Sequence, residues 1–211
     1  MTQSDQVIID SNDPPLNWKD VKEIIETNRL ELLKRSKSCM QQYRDFKDDL
    51  SRRGISRTAI LLGDDLHWAK VDSNYQILET YLKPSSPKLL NSADDICIIL
   101  NRFPYHFTPD IVHLIVWTKV HIENDADSDK GDISKYTRDL IDLYIDKTFV
   151  QNLGLSRDNI VWFRNWSALQ SIKDLSHIHV LTKGLDEAQL RQILGTPGCP
   201  LNEEDYKKLI N

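Results

Sequence analysis

Two histidines separated by one residue, His177 and His179, are the side chains in this sequence best suited to chemistry. They belong to the apolar run H-I-H-V-L, which is typical of a strand. Because successive side chains of a strand point to opposite faces, both imidazoles would share one face. The loop before this run carries three polar side chains, Asn165, Gln170 and Ser171. Two imidazoles beside amide and hydroxyl groups could bind a phosphate and attack it.

Each part of this pattern also has a purely structural interpretation. The two histidines could belong to a packed core, where histidine is found with intermediate frequency. Ser167 and Gln170 have the spacing of a capping box, which predicts a short helix in place of a phosphate-binding loop. A helix beginning there would still present free backbone N–H groups to an anion, so the two hypotheses are not exclusive.

Four apolar runs rich in β-branched residues predict the strands that would position the histidines. They span residues 96–100, 113–120, 159–163 and 177–182. Most connections in this half of the chain are too short for parallel crossovers, so an antiparallel sheet is expected. One clean apolar face between residues 133 and 150 predicts a helix that packs on this sheet. The fold class expected is therefore α+β.

The chain divides into three parts on its composition. Residues 1–15 are polar, end in two prolines and are typical of a disordered lead-in. Residues 16–54 predict an N-terminal helical extension, and residues 55–211 predict the α+β domain. Inside that domain the patterns indicate a further strand, a hairpin and two C-terminal helices, at residues 58–62, 68–81, 186–194 and after 202.

The N-terminal extension is predicted to contain two helices. Asn17 can cap the first, Asn28 can cap the second with Glu31 at its third position, and Gly54 can end the second. The long second helix would either be a solvated addition to the domain or serve an oligomer. A monomer and a homodimer are both compatible with this pattern.

Composition excludes several classes of function. The 211 residues carry a formal net charge of −5 and 40% hydrophobic residues, which suits a domain with a real core and no nucleic-acid partner. The sequence contains neither a membrane-spanning run nor the basic and apolar regions of a signal peptide, so a cytoplasmic protein is expected. Three cysteines in no C-x-x-C pair predict reduced thiols. No histidine spacing resembles a metal motif, and no metal site is predicted.

Two segments together resemble the histidine-triad superfamily of nucleotide-binding hydrolases and transferases. The first, N-R-F-P-Y from Asn101 followed by H-L-I-V from His113, is similar to that superfamily's N-x-[FY]-P-x…G-H-L-x-V. The second, Q-S-I from Gln170 followed by H-I-H-V-L from His177, resembles G-Q-S-V-x-H-x-H-x-H-V. Over about residues 18–185 the chain resembles more closely the fungal N-acetylglucosamine-induced protein family. The superfamily resemblance implies a histidine-triad-like (HIT-like) antiparallel fold, and the resemblance to the fungal family implies a role in the amino-sugar response.

The resemblance implies a role for each matching residue. A catalytic group would hold and attack the phosphate: His177, His179 and Ser171. A nucleotide-binding group would hold base, ribose and phosphate: Asn101, Arg102, Phe103, His113, Asn165, Gln170 and Lys183. The small-molecule partner would be a nucleotide, such as a pyrimidine nucleotide or a nucleotide sugar. A divalent cation carried by the nucleotide is the one cofactor that this hypothesis admits.

The sequence also departs from the superfamily pattern. The triad is a pair here, and Leu169 and Val112 stand where the superfamily has glycine. Two alignments to the motif are possible. If the end of the motif is aligned, His177 takes the position of the nucleophile and one inserted residue is needed. If the front is aligned, His179 takes that position and three inserted residues are needed. The first register is preferred because it needs fewer insertions.

These observations predict a nucleotide-binding protein, and hydrolysis of phosphate or nucleotidyl bonds through the histidine pair is the hypothesis for its activity. Glycine lets backbone N–H groups approach a phosphate closely, so its replacement leaves an alternative open. In that alternative the protein is a nucleotide sensor without turnover, or a scaffold in the amino-sugar response.

Overall fold

The computed structural model describes residues 13–170 and 172–209. These residues contain six helices and six strands, together with short 3-10 and π-helical turns. The helices are α1 (Trp18–Glu26), α2 (Lys37–Arg52), α3 (Arg57–Ile60), α4 (Lys135–Ile145), α5 (Glu187–Ile193) and α6 (Glu203–Lys208). The strands are β1 (Ala69–Val71), β2 (Ile77–Thr80), β3 (Ile96–Leu100), β4 (Ile111–Thr118), β5 (Ile160–Phe163) and β6 (Ser176–Lys183).

Four strands form one sheet in the order β3-β4-β6-β5, and every neighbouring pair is antiparallel. The four predicted runs match these four strands to within two residues at each end, so the antiparallel α+β prediction is confirmed. Strands β1 and β2 form a separate antiparallel hairpin, also as predicted. The predicted helices at residues 186–194 and after 202 are α5 and α6, capped by Asp186 and Asn202.

One face of the sheet forms the main apolar core. Ile98, Val116 and Ile178 point to this face and are fully buried. They pack with Tyr144 of α4 and with Phe149, which lies in the π-helical turn that follows α4. The predicted helix over residues 133–150 is therefore an α-helix that ends at residue 145 and continues as a π-helical turn.

The opposite face carries the histidines, because β4 and β6 pair in a register that sets Ile115 opposite His179 and Trp117 opposite His177. The N-terminal part of the chain covers this face. Val21 of α1 belongs to an apolar cluster with strand β5, and Leu61 belongs to another that contains Trp117. Val21 of the predicted extension and Leu61 of the predicted domain thus both pack on the sheet face that carries the histidines.

Helix boundaries in this N-terminal part match the predictions only in part. Asn17 caps α1 in a capping box with Asp20, as predicted, and Gly54 follows the end of α2 with a positive φ of 66°. Asn28 does not cap α2. It follows α1 in the left-handed conformation (φ 52°), which asparagine tolerates, and Ser36 caps α2 instead.

The strand predicted at residues 58–62 was wrong. The segment is helical, with Ser56 accepting a hydrogen bond from the Thr58 N–H and a π-helical turn running on from Leu61 to Asp65. A short apolar run does not by itself distinguish a buried strand from a buried helix, and here the serine cap decides for the helix.

The contact between the C-terminal loop and α4 provides a test of the packing. A Cβ added to Gly198 would lie 2.5 Å from Thr148 Cγ2, whereas one added to Gly154 would meet nothing within 4 Å. Both glycines have positive φ, so alanine at either costs roughly 1–2 kcal/mol in backbone energy. Gly198→Ala should lose roughly 1–3 kcal/mol more than Gly154→Ala in urea denaturation, because the loop must move off α4. Equal losses would contradict this packing.

Candidate functional site

A cleft of about 430 Å³ lies between the N-terminal helices and the histidine face of the sheet. Its buried end is lined by Ile115, Trp117, His177 and His179, which are all buried side chains. Its open end is lined by half-buried and exposed side chains, among them Phe103. The cleft therefore joins an aromatic, solvent-facing mouth to a pair of imidazoles.

His177 has one ring nitrogen held by the backbone and the other free. Its Nδ1 lies 3.1 Å from the carbonyl oxygen of Leu175. A carbonyl oxygen only accepts, so Nδ1 carries the proton and Nε2 carries the lone pair. Within the described part of the chain Nε2 has no hydrogen-bond partner, and the ring packs 4.5 Å from that of Trp117. This is the tautomer that a nucleophilic imidazole requires.

His179 differs from its neighbour because both of its ring nitrogens are engaged. Its Nδ1 lies 2.9 Å from Nε2 of His113, and its Nε2 lies 3.2 Å from Nδ2 of Asn165. Nδ2 of Asn101 lies 3.2 Å from the same Nε2 of His113. A hydrogen-bonded chain of two asparagines and two histidines therefore crosses the sheet behind the cleft and holds the His179 ring in place.

Burial keeps all three imidazoles of this face neutral. It lowers the pKa of His177 to about 4 and that of His113 to about 3. Burial also holds the pKa of His179 well below its ordinary value, and the neighbouring His113, His177 and Arg35 lower it further. At neutral pH the lone pair of His177 is thus available.

Trp117 adds an unused donor to the buried end of the cleft. Its indole Nε1 is buried and has no hydrogen-bond partner among the described residues. An unpartnered buried donor costs roughly 1–3 kcal/mol, so a ligand acceptor at this position would bind favourably. The buried end therefore combines a free imidazole lone pair with a free N–H group.

Aromatic rings and charged groups form the mouth of the cleft. Phe103 packs against Tyr43 and Phe46 of α2, with ring centroids 5.2 and 5.3 Å apart. Arg102 lies over the Phe46 ring and forms an ion pair of 2.9 Å with Asp65. Phe103 meets Tyr43 edge-on and Phe46 at a tilt, and this aromatic surface beside a guanidinium suits a flat, polar ligand group such as a base.

Five of the residues predicted for the site line this one cleft: Asn101, Arg102, Phe103, His177 and His179. Three more lie behind or beside it. His113 and Asn165 support His179, and Gln170 donates a hydrogen bond from Nε2 to the carbonyl oxygen of Asn165. The predicted catalytic Ser171 lies outside the described residues.

Lys183 is not part of the cleft. It pairs with Asp110 at 3.6 Å near the start of α1, beside Trp18. Lys183 is six positions after His177 along β6, and a strand rises about 3.3 Å per residue, so the two residues lie about 20 Å apart. Proximity in sequence to the histidines did not place this lysine near them.

The loop before β6 shows no helix in its described residues. Residues 167–169 form a turn, closed by a hydrogen bond from the Leu169 N–H to the Trp166 carbonyl. The hydroxyl of Ser167 accepts from Asn124. The capping-box prediction is therefore wrong for residues 167–170, because Ser167 is engaged with a distant loop.

The cleft residues that sequence reasoning missed include Arg35, Tyr43, Arg57 and Trp117. Trp117 could have been found, because it lies on the same strand face as His113, four residues away. The arginines gave no signal, since their approach depends on how the N-terminal helices pack on the sheet. In residues 13–170 and 172–209 no three His, Cys, Asp or Glu side chains lie close enough to hold a metal ion.

The fold and the cleft define an α+β protein with a histidine-lined pocket, and comparison with known proteins assigns it to a family. The family described as "Protein of unknown function (DUF3605)" matches residues 17–183, and the chain belongs to it. N-acetylglucosamine-induced protein 1 of Candida albicans is 37% identical over 205 residues, covering 94% of this chain and 80% of that protein. The predicted resemblance to this fungal family is thereby confirmed.

Two further matches extend the comparison. An uncharacterised protein of Saccharomyces cerevisiae is 30% identical over 164 residues, covering 78% of this chain and 77% of that protein. The crystal structure of a protein named HTC1 is similar with a TM-score of 0.63 and 25% identity, covering 92% of both chains. No helix in the described part of the chain is long and apolar enough to cross a membrane.

The neutral histidines predict a specific dependence of stability on pH. The pKa of His177 falls from 6.5 in the unfolded chain to about 4 in the folded protein. Between these values the unfolded chain binds more protons, so the free energy of unfolding should fall as the pH falls from 6.5 to about 4. Each such histidine contributes a slope of up to about 1.4 kcal/mol per pH unit. Urea denaturation at several pH values measures this slope.

A pair of variants separates the buried histidines from other acid-sensitive groups. His177→Asn should reduce the slope between pH 5 and 6.5, since its amide can still donate to the Leu175 carbonyl but binds no proton in this range. His121→Gln, at an exposed position, should leave the slope unchanged. If both variants keep the slope of the wild type, His177 is not held neutral by burial.

Proposed function

We propose that this chain is a HIT-like nucleotide-binding protein in which His177 attacks a phosphate of the bound nucleotide. The observation that carries the proposal is the hydrogen bond from His177 Nδ1 to the Leu175 carbonyl, which leaves the Nε2 lone pair free in the cleft. The aromatic cluster of Phe103, Tyr43 and Phe46 at the mouth suits a base.

The register in which His177 is the nucleophile is favoured over the register in which His179 has that role. Both ring nitrogens of His179 form hydrogen bonds, one with His113 and one with Asn165, so neither is free to attack a ligand. His179 instead packs 5.2 Å from the His177 ring and helps to fix its position. It is a positioning residue in this proposal.

The proposed reaction has two steps. In the first, Nε2 of His177 attacks phosphorus in line, an N–P bond forms, and the bond to the leaving oxygen breaks with its electron pair. The free Nε1–H of Trp117 can donate to a phosphate oxygen during this step. In the second step water attacks phosphorus, the N–P bond breaks, Nε2 regains its lone pair, and a water proton passes to solvent.

The neutral state of His179 restricts the leaving group. Its low pKa and its hydrogen bond to His113 make it a poor proton donor at neutral pH. An alkoxide would need such a proton, whereas a phosphate departs without one. The proposed substrates are therefore nucleotides cleaved at a phosphoanhydride bond.

A nucleotide sensor without turnover is the second candidate function. Ile99, Ile115 and Ile172 give apolar walls to the cleft that His177 lines, and Leu169 occupies the position where the superfamily has glycine. Apolar walls stabilise the developing charge of a phosphate less than backbone N–H groups do. The name of the Candida albicans relative supports a role in the amino-sugar response for either candidate.

The variants His177→Asn and His179→Ala test the assignment. His177→Asn should abolish phosphate release from nucleoside diphosphates while retaining most of the nucleotide-induced rise in melting temperature, since binding does not need the attacking nitrogen. His179→Ala should lower the melting temperature of the free protein, because buried His113 and Asn165 each lose a partner, at roughly 1–3 kcal/mol per group.

His121→Gln serves as the control for both measurements, because this histidine is exposed and outside the cleft. Thermal shift with a panel of nucleotides gives binding, and a phosphate-release assay gives turnover. Binding without release in the wild type would favour the sensor. Release that survives in His177→Asn would rule out His177 as the nucleophile.

A further inference from the structure

Two arginines at the mouth of the cleft are not neutralised by any described carboxylate. Arg35 and Arg57 both line the cleft, both are half-buried, and neither forms an ion pair within residues 13–170 and 172–209. Arg102, the third arginine of the cleft, differs because Asp65 neutralises it at 2.9 Å. An unpaired guanidinium that lines a cleft keeps its charge available to an anionic ligand.

One side chain, Tyr43, holds both arginines in place. Arg57 donates a hydrogen bond from Nη1 to the Tyr43 hydroxyl at 2.7 Å. The Arg35 guanidinium lies 5.1 Å from the centre of the same ring, and its Nε donates to the carbonyl oxygen of Phe103 at 2.8 Å. Each guanidinium is thus oriented through one neutral hydrogen bond, which leaves its other N–H groups for a ligand.

The charge around the cleft opposes that of the whole protein. Three arginines and two aspartates, Asp64 and Asp65, line it, which gives a local excess of one positive charge in a chain of net charge −5. Arg35 lies close enough to the histidines for its charge to lower the pKa of His113 and His179. The positive charge of the cleft therefore acts on the histidines as well as at the mouth.

We propose that Arg35 and Arg57 form a second anion site, which binds a phosphate adjacent to the one placed at His177. A guanidinium binds phosphate oxygens through two parallel N–H groups, so two oriented guanidiniums suit one phosphate. The ligand class is then a diphosphate, either a nucleoside diphosphate or a diphosphate-linked sugar, in preference to a nucleoside monophosphate. This inference rests on the proposed function and adds the N-terminal helices to the binding site.

Calorimetric titration with UMP, UDP and a UDP-sugar tests the second site. The wild type should bind UDP at least about 10-fold more tightly than UMP, since charge-assisted hydrogen bonds add affinity of this order. Arg57→Gln and Arg35→Gln should each weaken UDP binding by about 10- to 100-fold and leave UMP binding within about 2-fold. A UDP-sugar that binds more tightly than UDP identifies the sugar conjugate as the ligand, and weaker binding identifies the free diphosphate.

Two controls keep this test interpretable. Arg44→Gln removes an exposed arginine of α2 that does not line the cleft, and it should change neither affinity. Arg57→Lys retains the charge and should recover part of the UDP affinity that Arg57→Gln loses. Variants that weaken UMP and UDP equally, with a lowered melting temperature, would show that the arginines only support the fold, which overturns the inference.

The inference and the proposed function can fail separately. If the wild type binds UMP and UDP equally, nucleotide binding stands and the second anion site is overturned. If it binds no nucleotide, the proposed function fails, and inorganic pyrophosphate then tests the arginines alone. Pyrophosphate binding that is lost in Arg57→Gln supports the anion site, and absence of pyrophosphate binding to the wild type overturns it.

Discussion

The pairing of β4 with β6 sets the chemistry of this molecule. Its register places Trp117 opposite His177 and Ile115 opposite His179, so indole and imidazole groups share one face of the sheet. A shift by one residue would exchange this face with the apolar core and bury the imidazoles against α4. Because Val116 and Ile178 are fully buried on the opposite side, the core itself fixes the register. The position of the site is thus a consequence of core packing.

A sheet face with three imidazoles would be hydrated unless something covered it. The N-terminal helices provide that cover, with Val21 and Leu61 packing over the strands that carry the histidines. Burial then keeps the imidazoles neutral by lowering their pKa values. Because the unfolded chain binds protons more readily, the free energy of unfolding falls as the pH falls. The same helices leave a cleft above His177 and line it with Tyr43 and Arg57. One part of the chain therefore lowers the pKa of the histidines and shapes access to them.

The sequence was informative where local patterns dominate. The β-branched runs of the four sheet strands and the helix cap at Asn17 are such patterns, and they predicted the sheet and the start of α1. Prediction was wrong where two local solutions compete, as at residues 58–62, where an apolar run suits strand and helix equally. Arg35 and Arg57 meet the histidine face only through tertiary packing, which no motif encodes. The prediction for Lys183 failed for a different reason. An extended strand carries each further residue away from His177, so Lys183 lies at the far end of β6 and pairs there with Asp110.

His177 and His179 have the same residue type, strand and face, yet their surroundings give them different capacities. The decisive difference is the partner of Nδ1. A carbonyl oxygen, from Leu175, can only accept, so it fixes one tautomer of His177 and leaves Nε2 basic. His179 instead meets His113, which can donate or accept, and its other nitrogen meets an asparagine amide. An amide N–H group only donates, so Nε2 of His179 accepts from Asn165 and Nδ1 donates to His113, which leaves neither nitrogen of that ring for a ligand. A pair of histidines can therefore supply one reactive nitrogen and one rigid support without any third histidine in the motif.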